Sequence, residues 1–492
     1  MKICIVSSIG EQTYQGKYAE RKLQWSPFWD LALFRENSPI DAVDYYQISR
    51  TGTLSPNPNR HIYTIGILIS NHLKTPSNKI VIMNSFDDNY SFDDVDVVII
   101  STTHGTTNWE YRLIDILKKL KSKGIKSIIG GIGIKKLYLR NIQIFSSILS
   151  LATGYIIISD NGLSKLSWAV DNIHICYGCE IIEIEDKYIL SCDDFSLKDI
   201  DESLHSKHTV LITQTGCVYD CAFCGYKDKY KSHSFFDLSE IKKTLVTMSK
   251  TNKQGLNHLR FADETFNVDN ERVINLCEFI KTQNFDFHWS CFLRADNISL
   301  ELIKALSASK CDFVSIGVES GSTFMQGIMN KNIDLNKLKQ SISELQNAGI
   351  IVNISLMVGF LGETDLTIKE TMNYIASCKS DLARVNVWTP ARNEKNQSLF
   401  NEYDFQNEND TWFHKSLSES QAINFAKEIY MMDESTIFIP PFSSIFDQWP
   451  VLSSYGLSKE EILRVFRNYY IESKTVEKSK LKRRVVNNES NE

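Results

Sequence analysis

Three cysteines lie on one short stretch of the chain, "CVYDCAFC", with the spacing C-x3-C-x2-C. They are Cys217, Cys221 and Cys224. Thiolates are strong, soft metal ligands, and three of them on one loop can hold a single metal centre. A structural zinc site normally uses four protein ligands, whereas a four-iron cubane held by three cysteines leaves one iron for a small molecule. The spacing therefore favours an iron–sulfur cluster with one open coordination position.

Two other interpretations of the cysteine stretch stay open at this point. The three thiols could form a zinc site that is completed by His208, His233 or a more distant residue. They could also be buried free thiols, as we expect for Cys277 and Cys378, which lie within apolar helical patterns. The total of eleven cysteines is odd, which fits a reducing compartment better than a framework of disulfides.

Strand and helix patterns alternate with short connections from residue 209 onward. The stretch "TVLITQTG" predicts a strand that ends at the cysteine stretch, and five more strands are predicted at "HLRFADE", "HWSCFLRAD", "FVSIGVES", "IVNISLMVGF" and "ARVNVWTP". A helix between them, "NERVINLCEFIKTQ", is predicted to be capped by Asn270. In a parallel barrel the reactive groups collect on the loops at the carboxyl ends of the strands. We therefore expect the cysteines on such a loop.

Residues 205–390 resemble the radical S-adenosylmethionine (radical SAM) enzymes. "CVYDCAFC" matches the family signature C-x3-C-x-φ-C, in which φ is aromatic and is here Phe223. The resemblance implies a partial (β/α)6 barrel, a [4Fe–4S] cluster on the three cysteines and SAM bound at the open iron. It also implies that the reduced cluster cleaves SAM to methionine and a 5′-deoxyadenosyl radical. An electron donor such as flavodoxin or ferredoxin would then be a partner.

The resemblance also assigns SAM contacts to segments that follow successive strands. Beside Phe223, these are Asp263 and Glu264 for the amino group, Arg294 for the carboxylate, Glu319 and Ser320 for the ribose and methionine, and Gly359 for the adenine side. The charges suit these roles, since a guanidinium binds a carboxylate and an acid binds an ammonium. Each has a plainer alternative, because the two acids could cap the next segment and the arginine could form a surface ion pair.

The first part of the chain predicts a doubly wound parallel sheet of the flavodoxin or Rossmann type. Strands are predicted at residues 1–9, "KIVIM", "VDVVIIST", "KSIIGGIG" and "GYIIISD", and helices at 61–74, "NWEYRLIDILKKLKSKG" and near 162–170. Its order of elements resembles the cobalamin-binding domain that precedes many radical SAM barrels. The resemblance and the loops after the strands suggest cobalamin contacts at Thr102, Thr103, His104, Gly105, Gly130, Gly131 and Gly133.

Several segments depart from the family pattern. The Asp-x-His-x-x-Gly motif of some cobalamin proteins is absent, and the usual Gly-Glu-Gly-Glu turn appears as "SDNGLSKL". The amino-group segment is "ADE" rather than Gly-Gly-Glu, and the sixth strand ends in "VWTPARNEKN". Two alternatives therefore stand for the first domain, namely one that binds cobalamin and one that keeps the fold without the cofactor.

We predict three regions in the chain. Residues 1–195 form the cobalamin-binding-like domain, residues 206–390 the radical SAM barrel, and residues 391–492 a mainly helical region that ends in a charged, solvated tail. The stretch "TWFHKSLSESQAINFAKEIY" is predicted to be helical. The irregular residues 10–59 are either an insertion or partly ordered, and "CYGC" is more typical of a strand end than of a second metal site.

Composition narrows the functional classes. The net charge of −6 gives no broad basic field for nucleic acid, and the apolar runs are too short to cross a membrane. The beginning "MKICIVSSIG" enters a strand pattern without a secretory signal, so we expect a cytoplasmic protein. The predicted function is cobalamin-dependent methylation of an unactivated centre in a natural product or peptide. The alternatives are radical SAM rearrangement, dehydration, epimerisation or oxidation without methyl transfer, and a non-catalytic metal-binding scaffold.

Overall fold

The computed structural model describes two compact units of the chain, and each is described by itself below. The described residues are 1–6, 34–35, 38–39, 69–70, 72–73, 75, 78–83, 92–102, 109–159, 163–184, 207–224, 233–252, 255–388, 390, 397–408, 411–432, 435–439 and 445–489.

The first unit is built on a six-stranded sheet. The strands up to residue 184 are β1 (Lys2–Val6), β2 (Phe34–Arg35), β3 (Ser38–Pro39), β4 (Lys79–Met83), β5 (Val97–Ser101), β6 (Lys126–Gly130), β7 (Gly154–Ile158) and β8 (Cys179–Glu183). The helices are α1 (Trp109–Ser122), α2 (Ile132–Arg140), α3 (Ile142–Leu151) and α4 (Leu163–Asn172). Strands β2 and β3 form a separate antiparallel pair of two residues each and belong to the second unit.

All six strands of this sheet are parallel, in the order β4-β1-β5-β6-β7-β8. The chain moves outward from β1 to β4 and then returns to β5 on the other side of β1, which is the flavodoxin-like arrangement. The predicted doubly wound sheet is therefore confirmed. Helices α2 and α3 were not predicted, because the glycines at the end of "KSIIGGIG" interrupt the apolar pattern there.

One apolar core joins this sheet to its helices. On α1 the buried residues Leu113, Ile116, Leu117 and Leu120 recur at three- and four-residue spacing, so they share one face. This face packs in one cluster with buried strand residues, among them Ile100. Of the helix predicted at 61–74, only residues 69–70 and 72–73 are described, and these are helical.

The second unit contains a seven-stranded sheet. Its strands are β9 (His208–Leu211), β10 (Gln214–Thr215), β11 (Ser234–Phe235), β12 (His258–Phe261), β13 (His288–Arg294), β14 (Cys311–Glu319), β15 (Ile351–Val358), β16 (Leu382–Val387), β17 (Gln406–Glu408), β18 (Thr411–His414), β19 (Leu417–Ser418) and β20 (Ile437–Phe438). Helix α5 (Leu238–Thr251) begins in this unit, and its residues from Lys243 onward belong to the first unit. The other helices of the second unit are α6 (Asn270–Gln283), α7 (Leu300–Ala308), α8 (Thr323–Ile328), α9 (Leu335–Asn347), α10 (Asp365–Cys378), α11 (Gln397–Glu402), α12 (Glu419–Tyr430), α13 (Ile445–Ser454) and α14 (Lys459–Glu489).

The seven strands are parallel, in the order β20-β16-β15-β14-β13-β12-β9. The six strands from β9 to β16 follow chain order, and helices lie between them along the chain. This confirms the predicted barrel-type sheet, and β20 adds a seventh strand that the sequence pattern did not predict. The carboxyl ends of the six strands carry the loops predicted to hold the site.

Two local predictions are wrong. The cap of α6 is Asp269, whose side chain accepts the backbone N–H of Arg272, rather than Asn270, which is the first helical residue. The stretch predicted as one helix from "TWFH" onward begins as strand β18, and the helix starts only at Glu419. Ser418 and Gln421 form a reciprocal capping box there, and this fixes the later start.

The last helices pack at the amino end of the barrel strands. Trp449 of α13 stacks on Phe313 with ring centroids 5.0 Å apart, and its indole N–H donates to the Asp312 carboxylate at 3.3 Å. Asp312 is buried, and its other oxygen lies 4.0 Å from Nδ1 of the buried His258. Burial raises the pKa of Asp312 to about 7, although the Trp449 hydrogen bond opposes this. Helix α14 continues to Glu489 and includes most of the predicted tail. None of the described helices could cross a membrane.

The raised pKa of Asp312 predicts a pH-dependent stability difference between the protein and its Asp312→Asn variant. The folded pKa lies above the usual 3.8, so the stabilising contribution of the carboxyl is complete below that value and is lost as pH rises through about 7. Thermal unfolding midpoints should therefore fall faster for the wild type than for the variant between about pH 4 and 7. The limiting slope is about 1.4 kcal/mol per pH unit. A difference that is constant with pH would contradict the buried, neutral carboxyl.

Candidate functional site

The three predicted cluster cysteines lie on one loop just beyond the carboxyl end of β9. Gly216 enters this loop with a φ of 74°, a left-handed conformation that favours glycine. Cys217, Cys221 and Cys224 are free thiols, and all three are half-buried. The loop therefore presents its thiols at the edge of the sheet where a parallel barrel carries its chemistry.

The cysteine loop is fastened by the segment that follows α8. The backbone N–H of Ala222 donates to the Met329 carbonyl at 2.9 Å. The side-chain amide of Asn330 donates to the Asp220 carbonyl at 2.8 Å. Cys224 closes a turn inside the loop by donating its N–H to the Cys221 carbonyl at 3.1 Å. These hydrogen bonds to backbone groups of the loop do not use its three thiols.

Arg294, the last residue of β13, joins the loop to the rest of the site. Its Nη1 donates to Cys221 Sγ at 3.3 Å, and its Nη2 donates to the Lys331 carbonyl at 2.8 Å. Its Nε lies 2.9 Å from Asp296, and its guanidinium covers the Tyr219 ring at 3.7 Å. Burial lowers the pKa of Arg294, but the contacts with Cys221 and Asp296 outweigh this and raise it. A guanidinium N–H is therefore directed at a cysteine sulfur at the carboxyl edge of the sheet.

Three thiolates can bind a multinuclear cluster without meeting at a single ion. Within the described part of the chain, no three Cys, His, Asp or Glu side chains converge closely enough to hold one metal ion. A four-iron cubane binds each thiolate at a different iron, so its ligands need not meet at one point. His208 begins β9 and so lies at the opposite end of that strand, and His233 Nε2 lies 3.0 Å from Gln214 Oε1. The structure gives no support to zinc completed by either histidine.

Of the two acidic residues after β12, Asp263 and Glu264, the first forms hydrogen bonds within the protein. Asp263 is fully buried, and its carboxylate accepts the backbone N–H groups of Thr213, at 2.6 Å, and Gln214, at 3.2 Å, as well as the Thr213 hydroxyl. Burial raises the pKa of Asp263 and these hydrogen bonds partly oppose the rise, so that the resulting pKa is about 7. Asp263 thus holds the strand end that leads into the cysteine loop. Glu264 beside it is half-buried and is the acid of the pair that remains a candidate ligand contact.

Glu319 ends β14 in a strained conformation. Its φ is 67°, and the pairing of β14 with β15 shifts register between Gly317 and Glu319. Such strain in a non-glycine residue is typical of sites where the surroundings fix a side chain for function. The carboxylate of Glu319 forms an ion pair with Lys331 at 2.7 Å, and both side chains are largely buried. Ser320 is buried, with its hydroxyl 3.0 Å from Thr371 Oγ1.

Lys331 is the site residue that sequence reasoning missed. Besides its ion pair with Glu319, its ammonium lies 5.6 Å from the centre of the Phe223 ring, the aromatic residue of the cysteine signature. Its carbonyl accepts from Arg294. The only available signal was its place in the polar turn "MNKN", which does not distinguish a buried lysine from an exposed one.

Gly359 follows β15 with a φ of 94° and is enclosed by residues from later in the chain. A Cβ at this position would lie 2.7 Å from Trp412 Cη2 and 2.8 Å from the Ala422 side chain, so only glycine fits. Its N–H donates to the buried Glu363 carboxylate, whose pKa burial raises to about 8. Its carbonyl lies 3.3 Å from His414 Nε2.

In the first unit, the described candidates for cobalamin binding lie together at the ends of β5 and β6. The Thr102 hydroxyl donates to the Gly130 carbonyl at 2.8 Å and accepts the Ile134 N–H at 2.9 Å. A Cβ on Gly133 would lie 2.6 Å from the Thr102 carbonyl oxygen, so these backbones approach closely. Gly131 has a φ of 101° and precedes α2. The other three candidates, Thr103, His104 and Gly105, lie outside the described residues.

The "CYGC" stretch carries no activated thiol. Cys176 is buried before β8, and Cys179 is the first residue of that strand. Burial raises the pKa of Cys176, and it raises that of Cys179 to about 12. Both groups therefore stay protonated at neutral pH, where a redox or metal-binding site would need thiolates.

Comparisons with known proteins agree with this geometry. Residues 211–375 match the model of the radical SAM superfamily. An uncharacterized methyltransferase of Pyrococcus horikoshii is 23% identical over 186 residues, which are 37% of this chain and only 39% of that relative.

Two solved structures share the fold. The radical SAM methyltransferase TsrM of Kitasatospora setae, with tryptophan and a SAM analogue bound, superposes with a TM-score of 0.52 at 11% identity over 89% of this chain and 97% of that one. The cobalamin-dependent SAM radical enzyme OxsB superposes with a TM-score of 0.52 at 14% identity over 82% of this chain and 55% of that one.

The matched domain implies a [4Fe–4S] cluster and SAM as cofactors. The half-buried thiols of Cys217, Cys221 and Cys224 and the Arg294 N–H directed at Cys221 fit such a cluster. The matched residues include strands β12 to β15 of the parallel sheet, and the three cysteines and Arg294 lie at the carboxyl edge of this sheet. The chain is therefore an enzyme that contains a radical SAM domain at residues 211–375, and it shares its fold with the solved structures of TsrM and OxsB.

Proposed function

We propose that this enzyme is a cobalamin-dependent methyltransferase that acts on an unactivated centre of a natural product or peptide. The observation that carries its SAM chemistry is the loop of three half-buried thiols at the carboxyl end of β9, with the Arg294 guanidinium on Cys221. The methyl-transfer part is supported by the flavodoxin-like sheet that precedes this loop in the chain. It is further supported by the names of the similar proteins, which include methyltransferases and a cobalamin-dependent enzyme.

The residues of the site divide the work of binding. When bound, the cluster and SAM supply the electron and the methyl or radical chemistry that side chains lack. Cys217, Cys221 and Cys224 would hold the cluster, and Arg294 holds Cys221 in place and adds positive charge beside it. Hydrogen bonds and positive charge near the sulfurs raise the reduction potential of such clusters.

The proposed SAM contacts lie on the loops that follow the neighbouring strands. Glu264 suits the amino group of SAM, because a carboxylate binds an ammonium. The Glu319 carboxylate is fixed by Lys331 at 2.7 Å and is proposed to face the ribose. The turn at Gly359 is proposed to receive the adenine side, where the absence of a side chain leaves backbone groups accessible.

The cysteine loop is tested by a matched pair of substitutions. Cys221→Ala should lower the iron bound per protein after anaerobic reconstitution and abolish 5′-deoxyadenosine formation with SAM and a reductant, because one cluster ligand is lost. Cys179→Ala, also a half-buried free cysteine, is the control. It should keep both iron and 5′-deoxyadenosine at the wild-type level.

The outcomes separate the competing functions. Wild-type protein that loads zinc in place of iron and forms no 5′-deoxyadenosine would overturn the assignment and favour a metal-binding scaffold. Full iron content in Cys221→Ala would show that this thiol is not a ligand.

Cobalamin binding is tested at the close approach of Gly133 to Thr102. Purified wild-type protein incubated with hydroxocobalamin should retain its visible absorbance after gel filtration. Gly133→Ala should retain several-fold less, because its Cβ would lie 2.6 Å from the Thr102 carbonyl oxygen. Gly327→Ala is the control, since a Cβ there meets nothing within 4 Å.

Methyl transfer requires a second measurement on the same protein. With substrate present, S-adenosylhomocysteine should form along with methylated product. Wild-type protein that retains no cobalamin and forms no S-adenosylhomocysteine, yet still forms 5′-deoxyadenosine, would replace methyl transfer by another radical SAM reaction.

A further inference from the structure

The small antiparallel sheet β17–β19 lies beyond the matched domain in the chain, yet it contacts the carboxyl end of β15. The radical SAM match ends at residue 375, whereas β18 spans Thr411–His414. Trp412 and His414 lie on the same side of β18, as the two-residue period of a strand requires, and both are buried. Both reach Gly359. A segment outside the family domain therefore shapes a loop inside it.

His414 is placed to donate a hydrogen bond to Gly359. Its Nε2 lies 3.3 Å from the Gly359 carbonyl oxygen, and its Nδ1 lies 3.1 Å from the Ser416 hydroxyl. A carbonyl oxygen can only accept, so Nε2 must carry the hydrogen and Nδ1 of the neutral ring must accept from Ser416. Burial lowers the pKa of His414, which favours this neutral ring, although the bond to Gly359 opposes the shift. Ser416 thus selects the tautomer that holds the carbonyl.

The other sides of Gly359 are also held. Its N–H donates to the Glu363 carboxylate, and Trp412 occupies the space that a Cβ on this residue would need. Its φ of 94° is one that glycine adopts without steric cost, but glycine is also free to leave it. The external contacts are therefore what fix the orientation of this peptide unit. Without His414, the carbonyl would lose its one described side-chain donor in a buried place, which is costly.

We propose that His414 is a positioning residue of the SAM site, which acts by holding the Gly359 carbonyl through its Nε2–H. The proposal rests on the proposed role of the Gly359 turn in binding the adenine side of SAM. It gives the region after the family domain a part in SAM binding. It does not depend on whether the enzyme transfers a methyl group.

The test compares His414→Leu with His414→Gln on anaerobically reconstituted full-length protein. The glutamine amide can restore an N–H donor toward the Gly359 carbonyl, whereas leucine cannot, and both lose the stacking on Trp412. The dissociation constant for SAM, measured by equilibrium dialysis, should rise about 3- to 10-fold in the leucine variant. The glutamine variant should stay within about twofold of wild type, as one hydrogen bond is exchanged for another. Iron content should be the same in all three proteins, because the cysteine loop is untouched.

Two results would overturn the proposal. One is wild-type SAM affinity in an iron-replete leucine variant. The other is a glutamine variant as weak as the leucine variant, which would mean that ring volume rather than the hydrogen bond matters.

Ser416→Ala keeps the test decisive if the leucine variant does not fold. It removes the donor that selects the tautomer and should weaken SAM binding about twofold to threefold, whereas no change would count against the proposal. A wild-type protein that binds iron but no SAM would instead refute the SAM site itself, so the two failures are distinguishable.

Discussion

The contact between the Arg294 guanidinium and Cys221 Sγ is the interaction on which the geometry of the site depends most. Arg294 ends strand β13, so the sheet fixes its position. Its side chain donates hydrogen bonds to Cys221 in the cysteine loop, to Asp296 and to the Lys331 carbonyl, and so holds these groups relative to the sheet. A lysine could not replace it, because these contacts use separate N–H groups of one planar fork. If the Arg294 guanidinium also bound SAM, it would have to share these N–H donors between SAM and its present partners. For this reason the proposed SAM contacts depend more on Glu264 and on the backbone of the Gly359 turn.

A second constraint is that two backbone positions of the candidate site have unusual conformations, which contacts from other residues must stabilise. Glu319 and Gly359 both have positive φ, at 67° and 94°. The first is held by an ion pair with Lys331 and the second by side chains from beyond residue 400. Strained or flexible backbone persists only where the surroundings determine it. The later part of the chain thus supports the Gly359 turn and also packs at the amino end of the barrel strands, where Trp449 binds Asp312.

The order of strands and helices could be predicted because buried parallel strands are short apolar runs, and the cysteine loop could be found because three thiols at that spacing have few other uses. The missed features have physical reasons. "TWFH" alternates buried and exposed residues over only four positions, so the helical pattern that follows it dominated the prediction. Lys331 is buried by an ion pair with Glu319, which lies twelve residues earlier in the chain, and the polar turn around Lys331 does not indicate this pairing. The division of the chain at residues 195 and 206 stays a prediction, since residues 185–206 lie outside those that the structure describes.

The pair Asp263 and Glu264 shows why a sequence motif cannot assign roles to neighbouring acids. Just past the end of β12 the first side chain is fully buried and the second is half-buried. The buried carboxylate has burial raising its pKa to about 7 while three hydrogen bonds from Thr213 and Gln214 lower it. These bonds are directed at the strand end just before Cys217, so the acid acts on the cysteine loop through the backbone. The Asp263 carboxylate is already used by these hydrogen bonds, so Glu264 is the acid that we propose for the contact with SAM.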